Sequence, residues 1–220
     1  MLDKEKFSNE SPLVDGNLQQ QLAGIFAKME NPVVMKAVIN EDGEKDLELA
    51  SFLRAIEKTS ENLSVEFYTV AEAKEAVPEL NTEYLPVTGL YKNGEYGRAA
   101  FHGVPGGKEI NPFVLAIYNL AGPGQEIPKG VCKKINKLTK KCNIKVCTSL
   151  GCHHCPGVVN AAQQIAILNP NVEAEMFDAA LYQGLQEKYS IKRVPFMIIN
   201  DEETHMGSKG VEEILNLLKY

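Results

Sequence analysis

One pattern of apolar residues occurs twice along the 220-residue chain, and this repeat constrains the fold more than any other feature. In each half, residues spaced as in an amphipathic helix alternate with short apolar runs typical of buried strands, in the order α-β-α-β-α-β-β-α. The Leu85-Pro86-Val87 and Val194-Pro195-Phe196 segments keep the same register, because their prolines lie 195 − 86 = 109 residues apart. The repeat predicts two copies of one α/β fold, each with a parallel βαβ unit followed by an antiparallel ββα unit.

The segment Ala121-Gly122-Pro123-Gly124 interrupts the apolar pattern between the two copies. Such a run of glycine and proline ends both helices and strands, so we expect one domain at residues 1–122 and a second at residues 123–220. Hydrophobic residues at 44% and charged residues at 24% are ordinary values for a globular protein. Within the first domain, Asn93-Gly94 predicts a hairpin turn, because both residues tolerate positive φ.

The net charge of −6 is divided unevenly between the halves. Residues 1–122 carry 11 basic and 19 acidic side chains, whereas residues 123–220 carry 12 and 10. An acidic chain without tryptophan lacks the basic, aromatic face that nucleic acids need, so nucleic acid is excluded as a partner. Seven lysines between Lys129 and Lys145 are predicted to lie on the solvated face of an amphipathic stretch, and a docking surface for an acidic partner is the alternative.

The first dozen residues are mostly polar or charged, and no apolar run reaches the roughly 18 residues that a membrane span needs. We therefore expect no secretory signal and no membrane anchor. A cytoplasmic location is the corresponding prediction.

The second half holds all five cysteines, and two of them form the motif Cys152-His153-His154-Cys155. The motif follows a predicted strand, and Pro156 then opens a helix, where proline is tolerated in the first turn. A sulfur at a helix N-terminus meets unpaired N–H groups and the positive end of the helix dipole, which stabilise its thiolate. The spacing lets the second sulfur reach the first, which favours a disulfide that opens and closes by exchange with a target.

Other chemistries of this motif have different requirements. Covalent haem attachment needs histidine directly after the second cysteine, where this chain has Pro156. A zinc site usually brings a second pair of ligands, but Cys142 and Cys147 are predicted to lie away from the helix start. A non-catalytic metal-binding module stays an alternative, and a purely structural disulfide is disfavoured in the cytoplasm.

The residues near the motif have two interpretations each. A protonated His153 or His154 would favour the thiolate of the reduced pair, or both histidines are exposed loop residues that only tolerate the site. Cys142 and Cys147 are expected to be small buried hydrophobic residues, with Cys132 more exposed. A regulatory disulfide among these three cysteines is the alternative.

Val194-Pro195 lies 195 − 155 = 40 residues after the second cysteine, where the ββα unit begins. In the thioredoxin fold, a cis-proline at this place lies against the active disulfide and exposes backbone that pairs with an extended substrate segment. The combination predicts two tandem thioredoxin-like folds, each a mixed four-stranded sheet flanked by helices. An ordinary strand-edge proline is the alternative, and for Pro86 the two interpretations are closer.

Further segments carry a family resemblance over most of the chain: Phe101-His-Gly-Val-Pro-Gly-Gly-Lys-Glu109, Phe113-Val-Leu-Ala116, Gly151-Cys-His-His-Cys-Pro156, Leu168-Asn-Pro170 and Val194-Pro195. With these motifs the chain resembles the N-terminal domain of the flavoprotein component of alkyl hydroperoxide reductase, which has an active C-x-x-C only in its second thioredoxin fold. Subtracting the 109-residue repeat from Cys152 and Cys155 gives Gly43 and Asp46, so the first half lacks the pair. Archaeal protein disulfide oxidoreductases share the tandem plan but usually carry the pair in both halves.

The resemblance implies a thiol–disulfide oxidoreductase that carries electrons from a thioredoxin-reductase-like flavoprotein to a peroxiredoxin or another disulfide acceptor. Cys152 would be the nucleophile and Cys155 the resolving thiol, supported by His153, His154, Pro156, Val194 and Pro195. A glutaredoxin-like protein disulfide oxidoreductase that uses small thiols is the alternative.

The resemblance also bears on cofactors and on one acidic residue. The chain has no G-x-G-x-x-G fingerprint, so we expect no bound cofactor besides the redox disulfide, and reduction by a separate flavoprotein unless the chain is an excised fragment. The family places an acidic residue near the active disulfide, and Glu109 matches it by motif, although Lys108 replaces the more usual histidine. Glu109 would accept a proton from Cys155, or it is a solvated residue at a helix N-terminus.

Overall fold

A computed structural model describes residues 1–218, and the predicted order of elements occurs twice within them. The first copy consists of α1 (Gly16–Phe26), β1 (Val33–Val38), α2 (Glu44–Glu57), β2 (Leu63–Tyr68), α3 (Val70–Ala76), β3 (Val87–Lys92), β4 (Glu95–His102) and α4 (Ile110–Ala121). The second consists of α5 (Lys129–Asn136), β5 (Cys142–Thr148), α6 (Cys155–Leu168), β6 (Val172–Asp178), α7 (Gln183–Tyr189), β7 (Phe196–Ile199), β8 (Glu203–Met206) and α8 (Val211–Leu217).

Each copy has the predicted mixed sheet. Strands β1 and β2 are parallel, as are β5 and β6, and the hairpins β3–β4 and β7–β8 add antiparallel strands. Beyond the prediction, β4 pairs in parallel with β6, from Ala99 opposite Ala174 to His102 opposite Phe177. This pairing joins the two sheets into one of eight strands, in the order β2-β1-β3-β4-β6-β5-β7-β8.

The joined sheet aligns the ends of its strands. Because β1, β2, β4, β5 and β6 run in one direction, their C-terminal ends lie along one edge, together with the N-terminal ends of β3 and β7. We call this the carboxyl edge. It carries the loop at residues 103–109, the loop at residues 149–154 and the segment at residues 192–195.

A continuous hydrophobic core extends through both halves and includes residues of α2, α4 and α6. Helices α4 and α6 also pack against each other, so the interface between the halves is part of this core. The buried face of α6 carries small and β-branched side chains, including Val158, Ala162 and Ile165. Such residues allow a helix to approach a sheet closely, which holds the N-terminus of α6 at the carboxyl edge.

Turn chemistry at both hairpins agrees with the local backbone. Asn93 and Gly94 have φ of 53° and 80°, and Asn200 and Asp201 have φ of 53° and 59°. Paired residues with positive φ match the right-handed twist of the flanking strands. The cis peptide bonds of the described chain are Leu85–Pro86, Gly122–Pro123 and Val194–Pro195.

The lysine-rich stretch corrects one expectation. Lys129, Lys133 and Lys137 are exposed on or beside α5, as predicted, but Lys145 is buried in the strand β5. Its ammonium group lies 2.8 Å from the carboxylate of Asp201 and 3.7 Å from that of Glu175. Lys145 therefore belongs to a buried ion-pair network and not to a solvated helix face.

Candidate active site

The sulfur pair lies where a strand gives way to a helix at the carboxyl edge. Cys152 and Cys155 form a disulfide with their Cα atoms 5.6 Å apart, and Cys155 is the first residue of α6. The N–H of Cys155 donates to the Sγ of Cys152 over 3.2 Å. The first sulfur thus occupies the N-terminus of a 14-residue helix, where the N–H groups and the helix dipole favour a thiolate.

The two sulfurs differ in access. Cys152 is half-buried, whereas Cys155 is completely buried. The N–H of Cys152 donates a hydrogen bond to the carbonyl of Ser149 at 2.8 Å, which closes the loop that presents Cys152. A target can therefore approach Cys152 directly and can meet Cys155 only through it.

The other residues of the motif have distinct positions. His153 and His154 are exposed, and His154 directly precedes α6. Pro156 is half-buried in the first helical turn, where its missing N–H leaves no bond unmade. The two histidines also line a surface groove together with Lys209 and Glu213.

Pro195 lies at the same edge. Phe196 pairs with Cys147 in β5, so Pro195, one residue earlier, lies at the end of β5 that leads to Cys152. Pro195 is buried, its carbonyl accepts the N–H of Gly207 at 3.0 Å, and half-buried Val194 packs on a hydrophobic cluster beneath α7. The peptide bond between Val194 and Pro195 is cis.

Glu109 comes from the first half and lies in a single 3₁₀ turn, Gly107–Glu109, that packs against α6. The backbone N–H of the preceding residue, Lys108, donates a hydrogen bond to the carbonyl of Leu150 at 2.9 Å, and Leu150 lies in the loop that carries the disulfide. Glu109 is completely buried, and neither carboxylate oxygen has a hydrogen-bond partner within the described chain. Burial, with a smaller contribution from the carboxylate of Asp178, raises the pKa of Glu109 to about 8.

The corresponding place in the first half has no sulfur. Gly43 precedes α2, and buried Asp46 accepts the N–H of Asn40 at 2.6 Å, so a carboxylate organises this loop. The hydroxyl of Tyr182 donates to the carbonyls of Leu85 and Pro86 at 3.3 and 3.4 Å. A side chain of the second half thus covers the backbone at the first half's cis-proline.

The remaining cysteines differ in their surroundings. Cys147 is buried in β5, and burial raises the pKa of its thiol to about 12. Cys142 is half-buried at the start of β5, not fully buried as expected, although burial still raises the pKa of its thiol to about 11. Cys132 is half-buried in α5, and none of the three is in a disulfide within the described residues.

A buried polar network beside the site has no counterpart in the sequence-based predictions. His102 stacks on Phe177, with ring centroids 4.0 Å apart, and donates from Nδ1 to the carbonyl of Tyr84 at 2.7 Å. Its Nε2 lies 2.7 Å from Glu175, whose other oxygen accepts from Asn143. Burial acts to raise the pKa of Glu175, but hydrogen bonds from His102 and Asn143 outweigh burial and lower this pKa. This network could have been predicted from the sequence only if the pairing of β4 with β6 had been predicted first.

Across residues 1–218, no three His, Cys, Asp or Glu side chains are grouped so that they could hold a metal ion. None of the helices in that part of the chain combines the length and apolarity needed to cross a bilayer.

Comparisons with known proteins agree with this geometry. Residues 142–219 match the family model of the thioredoxin domain. The NTD_N/C domain of alkylhydroperoxide reductase AhpF from Enterococcus faecalis is 37% identical with a TM-score of 0.87, and the match covers 93% of this chain and 99% of that one. A protein disulfide oxidoreductase from Aeropyrum pernix shares the fold, with 21% identity, a TM-score of 0.83 and coverage of 99% and 93%.

The AhpF component of alkyl hydroperoxide reductase from Staphylococcus aureus is 29% identical over 206 residues, which cover 94% of this chain and 38% of that protein. The chain spans less than two fifths of the length of the curated relatives it matches.

Proposed function

This chain belongs to the family of the N-terminal domain of alkyl hydroperoxide reductase AhpF, and from that premise we propose that it carries electrons from a flavoprotein disulfide reductase to a peroxiredoxin. It is a thiol–disulfide oxidoreductase with the thioredoxin fold. The electron donor is either a separate protein or another part of the same polypeptide. The acceptor is a protein with a reducible disulfide.

The observation that carries the proposal is the asymmetry of the sulfur pair. Cys152 is accessible and receives the N–H of Cys155, whereas Cys155 is completely buried behind it. In the reduced protein the Cys152 thiolate attacks one sulfur of the target disulfide, forming a mixed disulfide and releasing the other target sulfur as a thiolate. Cys155 then attacks Cys152, which restores the internal disulfide and releases the second target thiol. Two electrons pass to the target in this sequence.

The second attack requires Cys155 to lose its proton, and we assign the acceptor role to Glu109. A carboxylate without hydrogen-bond partners has its lone pairs free for a proton. Because the pKa of Glu109 is raised to about 8, its basic form increases as the pH rises from 7 to 8. The resolving step should therefore accelerate over that range. In Glu109→Gln it should lose this acceleration.

The other residues of the site support the exchange. We propose that the segment before β7, including Val194 and the cis-linked Pro195, presents backbone to an extended target segment. His153 and His154, being exposed, would contact the target beside its disulfide.

Substitution of each cysteine tests the mechanism. Cys152→Ser should abolish turnover with a disulfide substrate, because the nucleophile is lost. Cys155→Ser should stop after the first attack and accumulate a mixed disulfide detectable by intact mass. Multiple turnovers by Cys155→Ser would refute the two-cysteine mechanism.

The identity of the partners needs a separate measurement. The pre-reduced protein is mixed with an oxidised peroxiredoxin or with glutathione disulfide, and the second-order rate constants are compared. A rate constant at least about tenfold higher for the peroxiredoxin is expected. The reverse order would favour the glutaredoxin-like alternative that uses small thiols.

A further inference from the structure

The surface around the disulfide carries a group of cations, which we call the cationic rim: Lys108, Lys192, Arg193 and Lys209. Lys108, Lys192 and Arg193 are exposed, and Lys209 is half-buried. None of the four forms an ion pair with another residue of the 1–218 range. The rim is unusual because the chain as a whole has a net charge of −6.

Each member of the rim is tied to the disulfide by the fold. Lys108 donates its N–H to Leu150, two residues before Cys152. Lys192 and Arg193 directly precede the cis-linked Val194–Pro195. Lys209 lines the groove that also contains His153 and His154. The four cations therefore come from segments that lie at the carboxyl edge beside the loop of Cys152.

The anions at this part of the edge offset the charge of the rim only in part. Glu109 and Asp178 are buried, and both have a raised pKa caused chiefly by burial. Glu213 is an exposed carboxylate that lines the groove with Lys209 and accepts the N–H of Gly210 at 2.8 Å, so it offsets one of the four positive charges. Other exposed acids of the edge belong to the first half: Glu41, Asp42 and Glu44 follow β1, three strands from β6 in the sheet order, and Glu83 precedes β3, two strands from β6.

We propose that the cationic rim selects protein partners whose reducible disulfide is bordered by acidic side chains. The inference rests on the proposed disulfide exchange and adds the chemistry of the acceptor. Unpaired surface cations around a reactive atom raise the encounter rate with anionic partners by about 10-fold or more at low salt. They also disfavour partners whose disulfide is bordered by lysine or arginine.

Two synthetic peptides with the same internal disulfide test the selection. One carries aspartate on both sides of each cysteine, and the other carries lysine at those positions. The pre-reduced full chain is mixed with each oxidised peptide, and the ratio of the two second-order rate constants is taken. At about 20 mM salt we expect a ratio of about 10 in favour of the aspartate peptide, falling toward 1 at about 500 mM salt because the Debye length shortens.

Charge substitutions locate the effect. In Lys108→Glu/Arg193→Glu the ratio should fall about 10-fold or more at low salt, and Lys108→Gln/Arg193→Gln should give an intermediate value. The matched control is Lys137→Glu/Lys141→Glu, which makes the same charge change with exposed residues at the other end of β5, about 20 Å away. The control ratio should stay within about twofold of the wild-type ratio.

The outcomes separate this inference from the proposed function. Equal reduction of both peptides by the wild type, or equal ratios in the rim and control variants, would overturn the inference and leave the oxidoreductase intact. Faster reduction of glutathione disulfide than of the aspartate peptide would overturn the inference, because a small disulfide would then be preferred to an acidic protein. Failure to reduce either peptide would overturn the proposed function and the inference with it.

Discussion

Substitution of Glu109 by glutamine tests whether the buried carboxyl group has the protonation behaviour that the mechanism requires. Glutamine has nearly the same shape as a protonated glutamate and cannot ionise. In the folded protein, burial raises the pKa of Glu109 from 4.5 to about 8. Between these values the folded state holds a proton that the unfolded state has lost, so the wild type loses stability as the pH rises through this window.

The expected size of the effect follows from linkage. A pKa difference of one unit corresponds to about 1.4 kcal/mol, so the full shift from 4.5 to about 8 costs the wild type up to about 5 kcal/mol above pH 8. Between pH 5 and pH 7 the loss is about 2–3 kcal/mol, because the unfolded state is already partly ionised at pH 5. Glu109→Gln removes this loss. Its stability relative to the wild type should therefore rise by about 2–3 kcal/mol between pH 5 and pH 7.

Urea unfolding of the oxidised proteins at both pH values measures this difference. Glu126→Gln is a matched control, since Glu126 is exposed, and its difference from the wild type should change by less than about 0.5 kcal/mol. Parallel pH profiles for Glu109→Gln and the wild type would show that the carboxyl group of Glu109 is hydrated. The assignment of Glu109 as a proton acceptor with a raised pKa would then be wrong.

Two further predictions concern the surroundings of the disulfide. Gly107→Ala should destabilise the protein by about 1–3 kcal/mol, because Gly107 has φ of 55° and an added Cβ would lie 2.5 Å from the carbonyl oxygen of Leu150. The control is Gly130→Ala in α5, which should not destabilise the protein because its Cβ would enter open space. Equal unfolding midpoints for the two variants would contradict the argument. Iodoacetamide at about pH 8 should alkylate Cys152 of the reduced protein and leave Cys147 unmodified, since that thiol is buried with a pKa of about 12. Peptide mass mapping that finds Cys147 alkylated as fast as Cys152 would refute this expectation.

Local patterns of the sequence determine much of what could be predicted. The helix and strand order follows from apolar spacing, and the turn at Asn93-Gly94 from residues that accept positive φ. The position of the motif from Cys152 to Pro156 could be predicted from local sequence, because a strand, two cysteines and a helix start follow one another within a few residues. Predictions of this kind need no knowledge of distant contacts.

Contacts between distant segments explain what was wrong or missed. Lys145 was expected in solvent because its neighbours are lysines, but its ion-pair partner Asp201 lies 56 residues away. Cys142 was expected to be a fully buried hydrophobic residue, whereas it is half-buried at the first position of β5. The pair of His102 with Glu175, 73 residues apart, exists only because β4 lies beside β6. Apolar periodicity contains no information about such pairings.

The joined sheet also decides how the role of the first half can be tested. Deletion of residues 1–122 would remove β4 and α4, and with them the strand partner of β6 and the helix packed on α6. The truncated protein would expose the unpaired edge of β6 and remove His102, the hydrogen-bond partner of Glu175. A loss of partner preference after this deletion could therefore come from damage to the fold. The point substitutions Glu109→Gln and Lys108→Glu keep the β4–β6 pairing, so they separate proton transfer and charge selection from the structural support that the first half gives.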